Sequence, residues 1–180
     1  MAGETIKKDA KKAIVQLLNK VLIVEYDLIL NSPRILDKVV SIDEINDEQF
    51  NKDMGRLSKD SLRHFSQVVA LIRELGGEPN WNFYVAERLT DVEKLLGQQV
   101  AKEKTAISLY EKAKQVARQN TIPIKSSFWG ALFDRNYDPE NAVNVNDMIS
   151  VLDRHIADEN AHVRLVEDSV ATLNALRKPH

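Results

Sequence analysis

Cysteine is absent from this sequence of 180 residues, which excludes disulfides, thiolate metal sites and a cysteine nucleophile. Any metal must therefore be held by oxygen atoms and imidazole nitrogens, a ligand set that suits iron, manganese or zinc. Glycine and proline are scarce as well, with six and five residues, and this leaves little of the turn chemistry that an all-β fold needs.

An excess of one charge and a long apolar run are also missing. The 25 Lys and Arg residues are balanced by 27 Asp and Glu residues, so the chain has no surplus of positive charge for binding nucleic acid. No apolar run approaches the ~20 residues of a membrane span, and the first twenty residues lack a signal-peptide pattern. We therefore expect a cytoplasmic protein that binds neither nucleic acid nor membranes.

Hydrophobic periodicity is abundant. Four segments place apolar residues at alternating steps of three and four, the narrow seam by which helices pack at shallow angles in a four-helix bundle. This pattern predicts a single all-α domain over residues 1–180. Its helices are predicted at about residues 6–31, 47–75, 88–119 and 145–176.

Local signals define several helix ends. Asn31-Ser32-Pro33 predicts that the first helix stops or kinks, because Pro33 lacks a backbone donor and restricts the residue before it. Gly76-Gly77 predicts a left-handed end for the second helix.

Two connections are long. Residues 78–88 could cross the length of the bundle, which would let the second and third helices run parallel. Residues 120–146 form an aromatic-rich insertion between the third and fourth helices. We predict a short helix near residues 126–134 that closes one end of the bundle, with a binding loop as the alternative.

Ionisable side chains interrupt the apolar seam of every helix. Burying an ionised carboxylate costs several kcal/mol, so each needs a partner, and the seams offer no Lys or Arg. A divalent cation offsets the negative charge and uses the lone pairs of neutral imidazole. The i, i+3 spacing of Glu159 and His162 lets both reach one ion. The seam residues that could meet at such an ion are Glu25, Glu103 and Glu159 together with His64, His162 and, one turn before Glu159, His155.

Each of these residues has an ordinary structural explanation when taken alone. A single seam Glu is more often partly exposed or paired with Lys or Arg, and a single seam His is more often a hydrogen-bonded core residue. Tyr110, on the face of Glu103, more often packs in the core with its hydroxyl satisfied than donates a hydrogen bond or an electron at a site. The conjunction of such residues on all four helices favours metal binding.

The same residues resemble the ferritin-like di-metal carboxylate superfamily, which includes bacterioferritins and rubrerythrins. That family has a Glu on the first and third helices and Glu-x-x-His on the second and fourth. Glu25 is similar to the first-helix Glu and Glu103 to the third-helix Glu, while Glu159-Asn160-Ala161-His162 matches the fourth-helix motif. Leu75-Gly76-Gly77-Glu78-Pro79 is similar to rubrerythrin-like sequences.

The resemblance spans roughly residues 10–175 apart from the insertion. It implies a ferritin-like four-helix bundle with a long crossover between helices 2 and 3. It also implies one or two iron ions, with manganese or zinc as alternatives, in a centre that reacts with oxygen or peroxide as an oxidase or peroxidase does. Haem is not implied, because the family's haem-binding Met falls on Leu62. A homodimer is plausible for this fold.

The second helix departs from the family pattern. Its motif falls on Ser61-Leu62-Arg63-His64, so the histidine is kept and Ser61 replaces the Glu that commonly bridges two metals. Three carboxylates neutralise three of the four positive charges of two divalent cations, so one positive charge remains. The second ion should therefore bind more weakly or need another ligand, for which Asp60 and His155 are candidates. Alternatively the site holds one ion or has lost its chemistry.

The resemblance implies the ligands of this chain: Glu25 and His64 would bind one ion, Glu103 and His162 would bind the other, and Glu159 would bridge them. The alternative function is a ferritin-like scaffold that binds a partner or a second copy of itself, with a degraded or mononuclear site. A hydroxylase with the same centre would have the same sequence pattern. No single residue is identified as catalytic.

Overall fold

The computed structural model describes residues 4–40, 48–83, 91–123 and 143–176. Its architecture is a bundle of four helices, as predicted, with one short antiparallel strand pair. In chain order the elements are β1 (Glu4–Ile6), α1 (Lys8–Val40), α2 (Glu48–Glu74), α3 (Val92–Gln119), β2 (Thr121–Pro123) and α4 (Val145–Leu176). Strands β1 and β2 pair Glu4 with Pro123, and so join the start of α1 to the end of α3.

Side-chain contacts show that α1 runs antiparallel to both α2 and α3. Asn19, in the first half of α1, donates to the backbone oxygen of Glu78 and accepts from the backbone N–H of Asn80, just beyond the end of α2. Asn31, in the second half of α1, donates to the backbone oxygen of Leu95 in the first turn of α3. Helices α2 and α3 therefore run parallel, and the predicted long crossover between them is confirmed.

Helix α4 returns antiparallel to α3. Lys114, late in α3, lies 2.8 Å from Asp153 near the start of α4. Lys104, earlier in α3, lies 2.8 Å from Glu167 near the end of α4. These directions complete the arrangement expected of a ferritin-like bundle.

Apolar side chains fill the bundle in two clusters that lie on either side of the ionisable seam residues. The larger cluster includes Leu22, Val68 and Leu152, and the smaller one includes Leu57 and Val166. Among the described residues, no helix is both long enough and apolar enough to cross a membrane.

Helix α1 does not end where the sequence predicts. An end near residue 31 is wrong, because the helix continues through Pro33 to Val40. A proline inside a helix costs about 3 kcal/mol. Two residues further on, Ile35 is fully buried in the smaller cluster, and burial of a side chain of this size contributes about 1.5–3 kcal/mol. Ser32 also donates to the backbone oxygen of Leu28 within the same helix. Burial of Ile35 is thus comparable with the cost of Pro33, and it explains why the helix continues past the local stop signal.

The other helix ends follow the predictions more closely. Helix α2 ends at Glu74, and Gly76 has the expected left-handed backbone with φ of 73°. Helix α3 begins at Val92 rather than near residue 88, because Asp91 caps it by accepting from the backbone N–H of Lys94. The bounds of α4 agree with the prediction. The short helix predicted near residues 126–134 lies outside the described residues.

Candidate metal centre

The fold brings together all five residues that the sequence predicts as metal ligands. Their exposure is 2% for His162 and 0% for the other four. They form two groups within which the candidate ligand atoms lie no more than 4.8 Å apart. The first group is Glu25, His64 and Glu159, and the second is Glu103, Glu159 and His162. Glu159 belongs to both.

Glu159 directs one oxygen to each group. Its Oε1 lies 2.7 Å from Nδ1 of His64, and its Oε2 lies 3.5 Å from Nδ1 of His162. The remaining carboxylates lie further out, with Glu25 Oε1 3.5 Å from Nδ1 of His64 and Glu103 Oε2 3.5 Å from Nδ1 of His162. Both histidines thus present Nδ1 to the carboxylates, and the first group is more tightly closed than the second.

The far nitrogen of each imidazole is bound by one of two further aspartates. Asp158 lies 3.1 Å from Nε2 of His64, and Asp60 lies 3.3 Å from Nε2 of His162. Arg63 joins both carboxylates, at 2.9 Å from Asp60 and 2.7 Å from Asp158. Each aspartate therefore orients the histidine of the opposite helix, as outer carboxylates commonly do for metal-binding imidazoles. Asp60 has this role and does not belong to either group.

His155, the other candidate for an additional ligand, also lies outside the two groups. Its Nε2 is 2.6 Å from Oε1 of Gln67. Its ring centroid lies 4.2 Å from that of His64 and 5.0 Å from that of Tyr110. Burial and the neighbouring charge of His64 lower the pKa of His155 to about 3, so this imidazole is neutral.

Glu25 and Glu103, which belong to one group each, both receive a hydrogen bond from a neutral donor on α3. The hydroxyl of Tyr110 donates to Oε1 of Glu25 at 2.7 Å, and Nε2 of Gln99 donates to Oε1 of Glu103 at 2.7 Å. Oε2 of both carboxylates is buried and has no hydrogen-bond partner among the described residues. Tyr110 therefore both packs in the core and binds a candidate ligand.

Protons compensate the buried negative charge when no cation is bound. Burial, aided by repulsion from Glu159, raises the pKa of Glu25 to about 7. Burial acts to lower the pKa of His64, but the hydrogen bonds and charges of Glu159 and Glu25 outweigh it and raise the pKa to about 10. The pKa of His162 is raised as well, since Glu159 and Asp60 outweigh the effect of burial.

The unpartnered atoms of the cluster fit a cation. Within the described part of the chain, buried atoms without a hydrogen-bond partner include Oε2 of Glu25, Glu103 and Glu159, and Nδ1 of His162. Leaving a buried polar group unsatisfied costs about 1–3 kcal/mol, and more for a charged group. Carboxylate oxygens combined with imidazole nitrogens suit iron, manganese and zinc. Ser61 is fully buried too, and its hydroxyl brings no charge.

Sequence reasoning missed several residues that surround the five candidate ligands. Asp158 and Arg63 flank predicted ligands along the chain, but their role depends on contact between α2 and α4. Gln99 occupies the apolar seam of α3, and its polarity there is the signal that could have identified it. Asn31 appeared only as part of a helix stop, although its buried side chain binds Gln99.

Comparison with known proteins supports the fold. No protein-family model matches the sequence, and no curated protein matches it either. Among solved structures, a ferritin-like diiron-carboxylate protein from Bacillus anthracis is 19% identical, with a TM-score of 0.65 over 89% of this chain and 97% of that chain. The Desulfovibrio desulfuricans bacterioferritin is 19% identical, with a TM-score of 0.64 over 94% and 84%.

The Rhodobacter capsulatus bacterioferritin, described with a metal-free dinuclear site and a haem iron, is 18% identical, with a TM-score of 0.63 over 92% of this chain and 88% of that chain. These similarities do not test the expectation that haem is absent, which stays a prediction. Likeness to rubrerythrins in particular also stays a prediction.

Proposed function

We propose that this chain, which has the ferritin-like fold, binds iron at the five-residue centre, and that the loaded centre reacts with oxygen or peroxide. The position of Glu159 carries the proposal. Its two oxygens face different groups, one toward His64 and the other toward His162, so a single buried carboxylate is placed to serve two ions. Similarity to a protein described as a diiron carboxylate supports the same assignment.

The chain's own residues would hold the ions as two unequal sets. Glu25 and His64 would bind one ion, Glu103 and His162 the other, and Glu159 both. Asp60 and Asp158 keep the imidazoles turned toward the centre, and the two apolar clusters keep bulk water away from it. Bound iron would supply the redox chemistry by cycling between two oxidation states. Manganese or zinc could occupy the same donors.

The test is anaerobic titration of the metal-free protein with Fe(II), followed by mixing with oxygen or peroxide. We expect two equivalents to bind, the second more weakly. We also expect the loaded protein to consume oxidant faster than an equal concentration of free Fe(II). Absence of bound metal would refute the proposal as a whole. Binding without accelerated consumption of oxidant would refute its reactive part alone.

A second candidate function is that of a scaffold with a mononuclear or degraded site. Ser61 favours it, because a buried hydroxyl stands where a fourth carboxylate would complete the charge balance of two ions. One bound equivalent, unreactive toward oxygen and peroxide, would support this candidate. The expected homodimer is a separate proposal, which sedimentation of the purified protein can test.

A further inference from the structure

Two buried amide side chains connect α1 to Glu103. Nδ2 of Asn31 donates to the backbone oxygen of Leu95 at 3.2 Å and to Oε1 of Gln99 at 2.9 Å. Nε2 of Gln99 then donates to Oε1 of Glu103 at 2.7 Å. Gln99 is fully buried and Asn31 nearly so. Neither residue belongs to the two candidate metal groups, so neither is explained as a ligand.

The hydrogen-bond pattern fixes which way each amide faces. A backbone oxygen only accepts, so Asn31 must turn its nitrogen toward Leu95. The same nitrogen lies against Gln99, which must therefore present its oxygen to Asn31. The nitrogen of Gln99 is left facing Glu103. The carboxylate thus meets a donor rather than the oxygen of a flipped amide.

This donor leaves the carboxylate charge intact and occupies one of its two oxygens. Oε2 of Glu103 has no hydrogen-bond partner in the part of the chain that the structure describes, and it lies 3.5 Å from Nδ1 of His162. We propose that Gln99, oriented by Asn31, is a positioning residue that presents Glu103 to a cation through Oε2 alone. This inference rests on the proposed metal function and specifies how one of the two ion positions is built.

The other ion position has an independent donor and therefore provides a matched control. Tyr110 donates to Oε1 of Glu25 in the same way, and Oε2 of Glu25 is likewise without a hydrogen-bond partner among the described residues. Removing the Gln99 donor should weaken the position that contains Glu103. Removal of the Tyr110 hydroxyl should weaken the position that contains Glu25.

The experiment compares Gln99→Met, which keeps the side chain's approximate size but has no donor, with Asn31→Leu and Tyr110→Phe. Cobalt(II) binding to each full-length protein is measured anaerobically by calorimetry and visible absorption. Loss of an outer hydrogen bond to a ligand typically costs 10–100-fold in metal affinity. We expect Gln99→Met to weaken one of two binding steps about tenfold and to change the other by less than about twofold. Asn31→Leu should weaken the same step, and Tyr110→Phe the other.

The spectrum adds a readout that altered packing alone would not produce. In Gln99→Met, Oε1 of Glu103 is free to join the cobalt, which raises the coordination number and weakens the visible bands of that step. The double variant Gln99→Met/Tyr110→Phe should weaken both steps, because the two donors act on different carboxylates.

Several results would overturn the assignment of Gln99. One is that Gln99→Met leaves both affinities unchanged or lowers both equally. Another applies if the wild-type protein binds a single cobalt ion. The assignment is then overturned if Gln99→Met does not weaken the binding of that ion, or if Tyr110→Phe does. Should Gln99→Met fail to fold, judged by circular dichroism, Asn31→Leu decides by the same criteria. A wild-type protein that binds no cobalt would refute the proposed function itself, and the inference with it.

Discussion

At the scale of the residue, Glu159 is the side chain on which the centre depends most. It is fully buried, it belongs to both candidate metal groups, and it interacts with both histidines of these groups. Burial acts to raise the pKa of Glu159, but the close contacts and charges of His162 and His64 outweigh it and lower that pKa, so the carboxylate stays ionised without a metal. A neutral substitute at this position should therefore affect both ions and the metal-free protein.

We expect Glu159→Gln to abolish binding of at least one of the two ions. We also expect it to destabilise the metal-free protein by about 3–5 kcal/mol, because loss of one member of a buried ion pair leaves His64 without its closest carboxylate. Calorimetry and urea unfolding measure the two effects. Glu167→Gln on the same helix is the control, since its pair with Lys104 is exposed and should matter little. Unchanged or improved stability of Glu159→Gln would favour the scaffold.

Metal binding should release protons. In the metal-free protein the pKa of His64 is raised to about 10, so its imidazole is protonated at neutral pH, while ligation requires the neutral form. The proton is held at every pH below about 10 and competes with the cation. Affinity should therefore rise with pH, by about tenfold per unit for each proton displaced. Calorimetry in buffers of different ionisation enthalpy measures the release, and identical apparent enthalpies would contradict it.

Ser61 should limit the affinity for the second ion. We expect Ser61→Glu to tighten binding of that ion, because a fourth carboxylate would neutralise the charge of two divalent cations. The same substitution should destabilise the metal-free protein, which would have to bury another negative charge. Calorimetry with Fe(II) or cobalt(II) measures the affinity. Ser66→Glu, on the exposed side of α2, is the control. Equal affinities in Ser61→Glu and the wild type would show that position 61 does not face the ions.

At the scale of the element, the end of α1 illustrates what local sequence signals leave out. Pro33 is a local stop signal, whereas Ile35 is buried only because α2 and α3 lie beside it. We expect Ile35→Ala to lower the free energy of unfolding by about 2–5 kcal/mol, the usual cost of truncating a buried Ile. Urea unfolding checks this, with the exposed Asp37→Ala as the control. A small effect would mean that burial of Ile35 does not hold the helix beyond Pro33.

The periodicity of the sequence was sufficient to predict α2, α4 and the ionisable residues of the seams, because a regular apolar stripe makes each exception visible. The family resemblance then selected the five candidate ligands among them. Glu25 and Glu159 stood out for this reason. Strands β1 and β2 were beyond this method, since each has three residues and their pairing depends on distant segments. The hydrogen bond from Gln99 to Glu103 also required the structure, because polarity alone does not reveal the acceptor.

At the scale of the whole molecule, the centre lies between the two apolar clusters and takes residues from all four helices. A bound ion should therefore stabilise the bundle globally rather than at one helix. At free ion concentrations about 100 times Kd, the gain is about 2.7 kcal/mol. For a chain of this size, each kcal/mol raises Tm by about 2–4 °C, so we expect an increase of roughly 5–11 °C.

Differential scanning calorimetry with and without anaerobic Fe(II) measures this increase, and a chelator should reverse it. Hydrogen exchange distinguishes global from local stabilisation, because global stabilisation slows the most protected amides of every helix. If only the amides around Glu159 and His162 became slower, the ion would stabilise α4 alone. The four helices would then have to be held together by the two apolar clusters, and ligation by Glu25 and Glu103 would be refuted.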